Sequence, residues 1–296
     1  MAERAVGMLS RPIPREVLVT RPNFIVIGAA RSGTTSLWEY LRSHPDVFMS
    51  PAKELIFFWE RWHLGIDWYE SQFATWRGER AIGEASPGYT IYPARRGVAE
   101  RIAKTLPDVK LIYLMRDPVA RIHSNYKFRY MLGSESRPIE RALIEDPTYV
   151  WMSSYALQVN EYLRYFDRSR VLLLLNEDLK DRREETLRRT FEFLGVDGAF
   201  VPPNIASEFN PPRPMRPRPA FRKLGSVIIR TRTLLGMEYK VQMLPEKWRP
   251  YISKPVDPAT LRMSDDLKLA MADAVRSDVR ALVELMPAGF DGWGLL

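Results

Sequence analysis

The 296-residue chain contains no cysteine and only three histidines, His44, His63 and His123. The absence of cysteine excludes disulfide bonds, thiolate metal sites and a cysteine nucleophile. The histidines are scattered, and none belongs to a metal-binding pattern such as H-E-x-x-H. We therefore expect no metal site.

Long apolar runs are also missing. The first 24 residues hold no apolar stretch of signal-peptide length, and the longest apolar run lies around residues 171–175. A transmembrane helix needs about 20 consecutive apolar residues. The sequence therefore predicts a cytoplasmic protein without a membrane span.

Acidic residues are outnumbered, since 44 Lys and Arg against 36 Asp and Glu give a formal net charge of +8. Such an excess favours an anionic partner. The basic residues are spread along the chain, and no recognition helix or RNA-binding motif is present, so we expect no nucleic-acid partner. A small polyanion held by a few arginines explains the charge, as does an Arg-rich solvated surface.

Strand patterns alternate with helix patterns after a leader at residues 1–22, which indicates a single α/β domain over residues 23–296. The pattern predicts a parallel sheet flanked by helices on both faces. A Pro- and Arg-rich loop with Arg213, Arg216 and Arg218 occupies residues 202–219. Strands are predicted at residues 24–27, 109–115 and 171–175, and helices at residues 94–106, 118 onward, 155–166, 184–194 and 264–286.

A phosphate-binding loop is predicted in FIVIGAARSGTTSLWEYL, where a strand, a turn and a helix follow one another. Gly28 and Gly33 stand five apart, as in the nucleotide-binding pattern G-x-x-x-x-G-K-[ST]. Thr34 replaces the lysine that kinases and ATPases use on the β- and γ-phosphates, and the cation comes earlier as Arg31. The alternative is an ordinary turn between a strand and a helix.

A second anion site is predicted where the strand at 109–115 runs into Arg116. Ser124 follows on the next helix, so that both side chains can hold one phosphate. The alternative is that Arg116 pairs with Asp117 or caps a neighbouring helix. Two phosphate sites on neighbouring strands would suit a nucleotide phosphorylated at two positions.

A candidate general base is Glu54 in PAKELIFF, directly before the apolar residues 55–58. Burial beside such residues raises the pKa of a carboxyl group towards that of a useful base. The alternative is an exposed Glu54 paired with Lys53. His63 and Glu84 are the competing bases. Four aromatic residues suit either an acceptor cleft or, as is more common, the core: Trp59, Trp62, Trp68 and Tyr69.

These segments, in this order, resemble the sulfotransferases that use 3′-phosphoadenosine-5′-phosphosulfate (PAPS), especially bacterial and heparan sulfate N- and 3-O-sulfotransferases. RSGTTSL resembles their 5′-phosphosulfate loop, LIYLMRDPVARIHSNY their 3′-phosphate segment, and KELIFF with HLGIDWYESQF the heparan enzymes. Three further segments are similar in character to those of the same enzymes: GEASPGY, the stretch at residues 155–196 and the final DGWG. The resemblance spans about residues 24–195.

The resemblance implies a P-loop NTPase-like α/β fold and in-line sulfuryl transfer from PAPS to a hydroxyl or amine of a carbohydrate or small molecule. It implies that Glu54 is the base, that Arg31 stabilises the leaving oxygen, and that Arg116 and Ser124 bind the 3′-phosphate. The loop residues implied to bind the cofactor are Arg31, Ser32, Gly33, Thr34, Thr35 and Ser36.

Two positions depart from the family pattern. Arg31 replaces the usual loop lysine, which keeps the charge but changes the hydrogen-bonding geometry. Ala85 stands where the heparan enzymes carry a lysine, which argues against a specifically heparan-like acceptor. The alternative functions are a small-molecule kinase on the same sheet and a basic nucleic-acid-binding module. The sequence makes no prediction of oligomeric state.

Overall fold

A computed structural model describes residues 20–207, 209, 215–217 and 253–296. Its main sheet has five strands, all parallel, in the order β2-β3-β1-β4-β5. The strands are β1 Phe24–Gly28, β2 Val47–Met49, β3 Ala81–Ala85, β4 Lys110–Met115 and β5 Val171–Leu175.

Helices connect these strands and cover the sheet. The α-helices of the described residues are α1 Thr34–Leu41, α2 Gly65–Ser71, α3 Val98–Thr105, α4 Pro118–Leu132, α5 Ile139–Glu145, α6 Thr148–Trp151, α7 Tyr155–Leu163, α8 Asn176–Asp181, α9 Arg183–Leu194 and α10 Asp265–Val283.

Both faces of the sheet are buried, because successive strand side chains point to opposite sides. Ile25 and Ile27 of β1 belong to one core cluster, which α3 and α7 complete. Phe24 and Val26 belong to a second cluster, which α1 and α9 complete. The predicted α/β fold, a parallel sheet with helices on both faces, is therefore confirmed.

The C-terminal helix packs beside this sheet on α4 and α7. Its inward residues, including Val275 and Val279, pack with Ile122 and Tyr126 of α4 in a third cluster. Ser264 begins the helix, because its hydroxyl accepts the N–H of Leu267. The helix predicted at residues 264–286 is thus present, although it ends at Val283.

Several predicted boundaries change. The helix predicted at residues 94–106 begins only at Val98, because Gly97 adopts φ 76° before it. The helix predicted at 155–166 ends at Leu163, and β2 and β3 were not predicted. Within the predicted Pro/Arg loop, Met215–Pro217 forms strand β6, antiparallel to β7 at Ser253–Pro255. Arg213 and Arg218, and residues 1–19 of the predicted leader, lie outside the described residues.

The strand order determines where a ligand can bind. After β1 the chain builds β2 and β3 on one side, then crosses to build β4 and β5 on the other. Such a reversal leaves a crevice beyond the carboxyl ends of the strands. The predicted phosphate loop, Glu54 and Arg116 all follow strand ends at this edge.

Candidate functional site

The loop between β1 and α1 has the tight turn expected of a phosphate-binding loop. Gly33 has φ 91° and Arg31 has φ 74°, so the chain turns sharply before the helix. A Cβ atom on Gly33 would overlap the side-chain nitrogen of Asn176, which leaves glycine as the residue that fits. The first N–H groups of α1, at Thr34 and Thr35, have no acceptor within their own helix. These groups are the usual donors to a phosphate at a helix N-terminus.

The two predicted anion sites meet in one cluster. The Nε of Arg31 donates to the hydroxyl of Ser124 at 3.3 Å, and Nη1 of Arg116 donates to the Arg31 carbonyl at 3.3 Å. The Arg31 guanidinium also lies 4.5 Å from the ring centre of Phe128 on α4. The structure therefore brings together the residues that the sequence placed in two separate motifs.

Neither alternative reading of Arg116 is seen. The Asp117 carboxylate caps α4 by accepting the N–H groups of Val119 and Ala120. Among the described residues the buried Nε of Arg116 has no hydrogen-bond partner. The hydroxyl of Tyr155 donates to the Arg116 carbonyl at 2.8 Å and thereby fixes the backbone at this strand end.

Positive charge accumulates at this cluster, where Arg31, Arg116 and Arg121 lie close enough for their charges to interact. Arg121, on the inner face of α4, is 0% exposed, and two of its guanidinium nitrogens have no partner within the described chain. Burial and the nearby charge of Arg116 lower the pKa of Arg31. Burying like charges is costly unless an anion compensates them. The charge of the cluster suits an anionic ligand.

The segment after β2 adds a third part to the site. The Nζ of Lys53 donates to the Thr35 hydroxyl at 3.0 Å and lies 4.0 Å from Glu54 Oε1. Lys53 therefore connects the loop to the candidate base. Its side chain is 14% exposed, whereas that of Glu54 is 40% exposed.

The structure leaves the Glu54 side chain partly exposed. Leu55, Phe57 and Phe58 turn into the core, so the apolar run leaves the Glu54 carboxylate accessible to water. The alternative reading, an exposed Glu54 beside Lys53, describes its surroundings better. Accessibility also leaves this carboxylate able to meet an acceptor.

Of the competing bases, Glu84 is completely buried. Its oxygens accept hydroxyl groups of Tyr69 at 2.8 Å, Ser86 at 2.6 Å and Tyr89 at 3.0 Å. Burial raises the pKa of Glu84 to about 7, and the negative charge of Glu54 contributes in the same direction. Glu84 therefore cannot touch an acceptor in this arrangement. His63 lies exposed on a short 3₁₀ turn, Trp62–Leu64.

The aromatic residues divide between core and surface. Tyr69 is fully buried and stacks on Phe57, so it belongs to the core. Trp59 and Trp68 pack against the same core, Trp62 contacts the rings of Phe57 and Phe58, and all three stay partly or largely accessible. Each of these three lies under a guanidinium group, contributed by Arg95, Arg101 and Arg61 respectively.

Three residues of the site were missed from the sequence. Lys53 was considered only as a partner of Glu54, and Tyr155 only as the start of a helix. Asn176 follows β5 directly, and a polar residue at the carboxyl end of a parallel strand was a signal that could have identified it.

The described residues contain no cluster of His, Asp and Glu that could hold a metal ion. Within the same ranges, no helix combines the length and apolar composition needed to cross a bilayer.

Comparison with known proteins connects this geometry to a family. The family model for the sulfotransferase domain matches residues 21–205, more than half of the chain. Membrane-associated sulfotransferase kil1 of Dictyostelium discoideum is 40% identical over 128 residues, covering 42% of this chain and 26% of the relative. Heparan sulfate glucosamine 3-O-sulfotransferase 3B1 of Mus musculus is 32% identical over 185 residues, covering 59% of this chain and 46% of the relative.

The chain thus spans less than half the length of these two curated relatives. A crystal structure of a sulfotransferase from Alicyclobacillus acidocaldarius is similar with a TM-score of 0.57 and 30% sequence identity. That similarity covers 75% of this chain and 98% of the bacterial one. The family-model match and this structural similarity agree, and the chain belongs to the sulfotransferase domain family.

Proposed function

We propose that this chain transfers the sulfuryl group of PAPS to a hydroxyl or amine of an acceptor. The observation that carries the proposal is the contact of three segments at one sheet edge. Arg31 of the phosphate loop bonds Ser124 of the second anion site, and Lys53 bonds Thr35 of the same loop beside Glu54. A donor with two phosphates and a base for the acceptor need these three parts together.

The residues present fit a nucleotide phosphorylated at the 3′ and 5′ positions. The buried Nε of Arg116 has no partner among the described residues, so it is available to a ligand. The N–H groups of residues 33–35 would hold the 5′-phosphate, with the Ser36 hydroxyl beside them, whereas the Ser32 N–H already donates to the Ala29 carbonyl at 3.1 Å. Arg116 and Ser124 would hold the 3′-phosphate through charge-assisted hydrogen bonds.

In the reaction, Glu54 accepts the proton of the acceptor as the acceptor's oxygen or nitrogen bonds to sulfur. The bond between sulfur and the bridging oxygen breaks at the same time, and its electron pair stays on the nucleotide's 5′-phosphate. Arg31 and Lys53 stabilise the charge that develops on this oxygen. Fixed cations aimed at developing charge are among the largest contributions to such catalysis.

The choice of base is tested by comparing Glu54→Gln with His63→Ala. Glu54 lies beside Lys53 and the loop, whereas His63 is exposed on a separate turn. Turnover should collapse in Glu54→Gln and stay near normal in His63→Ala. The opposite result would assign the base to His63.

The acceptor is proposed to be a carbohydrate or a small molecule. The relative from Mus musculus is named for heparan sulfate glucosamine, which supports a carbohydrate. Ala85 replaces the lysine of the heparan enzymes, which argues for a different saccharide or a small hydroxylated compound. Incubation with labelled PAPS and fractionated extract would identify the molecule that gains the label.

A kinase is the alternative that nucleotide binding can exclude. Thr34 stands in the position of the lysine that kinases use on the terminal phosphates. Calorimetry should therefore show tighter binding of adenosine 3′,5′-bisphosphate than of ATP. Equal or tighter binding of ATP would overturn the proposed function.

A further inference from the structure

A buried carboxylate supports the segment that carries Glu54. Glu84 of β3 is 0% exposed, and both its oxygens accept hydroxyl groups. Within the described residues it makes no ion pair. Taking a carboxylate out of water without a cation is costly, even when hydroxyl groups satisfy its oxygens. An apolar side chain would pack equally well at this position, so the buried carboxylate indicates a role in the site.

Two of the three hydroxyl groups act as relays to the backbone. The Ser86 hydroxyl donates to Glu84 at 2.6 Å and accepts the N–H of Ile56 at 3.0 Å. The Tyr89 hydroxyl donates to Glu84 at 3.0 Å and accepts the N–H of Phe58 at 3.4 Å. Glu84 thereby orients both hydroxyl groups so that their lone pairs face residues 56 and 58.

The supported segment has a backbone that needs external support. Ile56 adopts φ 49°, a left-handed conformation that is unfavourable for a β-branched residue. Its carbonyl accepts the N–H groups of Trp59, Glu60 and Arg61, and its own N–H goes to Ser86. Such conformations persist only where the surrounding structure determines them.

Glu54 stands between two anchors of this segment. On its N-terminal side, Lys53 bonds Thr35 of the phosphate loop at 3.0 Å. On its C-terminal side, the relays through Ser86 and Tyr89 hold residues 56 and 58. The position of the Glu54 carboxylate relative to the loop therefore depends on both anchors.

We propose that Glu84 is a positioning residue, which holds the Glu54 carboxylate at the phosphate loop through the hydroxyl groups of Ser86 and Tyr89. The inference rests on the proposed function of Glu54 as the base. Glu84 acts only through the backbone of residues 56–58 and touches neither substrate nor cofactor.

The first test is Ser86→Ala, which removes one relay and leaves Glu84 two hydroxyl donors. A base displaced by about 1 Å can lose on the order of 10²-fold in rate, so kcat should fall about 10- to 100-fold. The KM for PAPS and the affinity for adenosine 3′,5′-bisphosphate should stay unchanged, because both are set by the loop and by Arg116. Ser86→Thr keeps the hydroxyl and should recover most of the lost turnover.

Tyr69→Phe is the matched control. It removes another hydroxyl donor from the same carboxylate, at 2.8 Å, but Tyr69 has no bond to the backbone of residues 56–58 among the described contacts. The ring keeps its stacking on Phe57. The melting temperature should fall, while kcat changes by less than about twofold, as expected for a stabilising contact outside the reacting groups.

Hydrogen exchange gives a readout that needs no activity. In Ser86→Ala, the amides of a peptide covering residues 54–61 should exchange at least about tenfold faster, and in Tyr69→Phe they should stay protected. Unchanged protection and unchanged kcat in Ser86→Ala would overturn the inference. Equal losses of kcat in Ser86→Ala and Tyr69→Phe would also overturn it, because the network would then act through stability alone.

Failure of the proposed function would give a different result from failure of the inference about Glu84. A wild-type protein that binds adenosine 3′,5′-bisphosphate but transfers no sulfuryl group would refute the function. The exchange measurement would then decide alone whether Glu84 and Ser86 hold the segment, with lost protection supporting the anchor and retained protection refuting it.

Discussion

Removing the guanidinium of Arg116 should selectively abolish recognition of the nucleotide's 3′-phosphate. Its buried Nε has no partner within the described residues, and its other contact is one 3.3 Å hydrogen bond to the Arg31 carbonyl. A hydrogen bond to a charged group contributes about 1.5–3 kcal/mol. At about 1.4 kcal/mol per factor of ten, Arg116→Ala should weaken bisphosphate binding about 10- to 150-fold.

Calorimetry with adenosine 3′,5′-bisphosphate and AMP separates this effect from a general loss of structure. The affinity for AMP, which lacks the 3′-phosphate, should change by less than about threefold. This small change would come from a phosphate loop that is slightly looser without the Arg116 side chain. Arg129→Ala on α4 is the control, because Arg129 pairs with Asp146 at 2.8 Å. Equal losses for the two nucleotides, or an equal loss in Arg129→Ala, would refute the assignment of Arg116.

Four further outcomes are expected. Arg31→Ala should lower kcat more than bisphosphate affinity, whereas Arg31→Lys should retain substantial activity; an effect on the cofactor KM alone would contradict the leaving-group role. Glu54→Gln should lower kcat by about 10²–10⁴-fold at nearly unchanged cofactor affinity, and normal turnover would refute the role of Glu54 as base. Gly33→Ala should weaken bisphosphate binding in calorimetry, because the added methyl group displaces the loop; unchanged binding would show that the loop adapts. Because the folded pKa of Glu84 is raised from 4.5 to about 7, the folded state binds the extra proton, and the free energy of unfolding should fall by about 3 kcal/mol as pH rises through that window. Urea titrations at both ends of the window should show the decrease in wild type and lose it in Glu84→Gln.

The parts of the fold that the sequence predicted are those with strong local signals. Val171–Leu175 is an apolar β-branched and leucine run, and it forms β5 with the predicted bounds. Gly195, with φ 82°, ends α9 as predicted. Strand β2 escaped prediction because it has only three residues, and β3 because Gly83 and Glu84 interrupt its apolar run.

The candidate site was predicted in its parts but not in its connections. Arg31, Arg116 and Ser124 were each chosen from local context, and their mutual contact joins residues 85 and 93 positions apart. No local pattern reports such a contact, because it depends on which strands are neighbours. The sequence left the burial of Glu54 open, because it depends on which way the following apolar residues turn, and Leu55, Phe57 and Phe58 turn into the core. The cytoplasmic location stays a prediction.

Arg31 illustrates why a change of cation within a family need not break the site. A lysine in this loop would bring one compact charge, whereas the planar guanidinium of Arg31 uses Nε on Ser124 and its face on Phe128. Both partners belong to α4, the helix that begins directly after Arg116. The Arg31 side chain thereby contacts the helix that carries Ser124 of the second predicted anion site. In the other direction, the Arg116 guanidinium donates a hydrogen bond to the Arg31 carbonyl. The two candidate phosphate-binding segments are thereby joined by protein contacts, of which only the contacts to Ser124 and Phe128 depend on the side chain of Arg31.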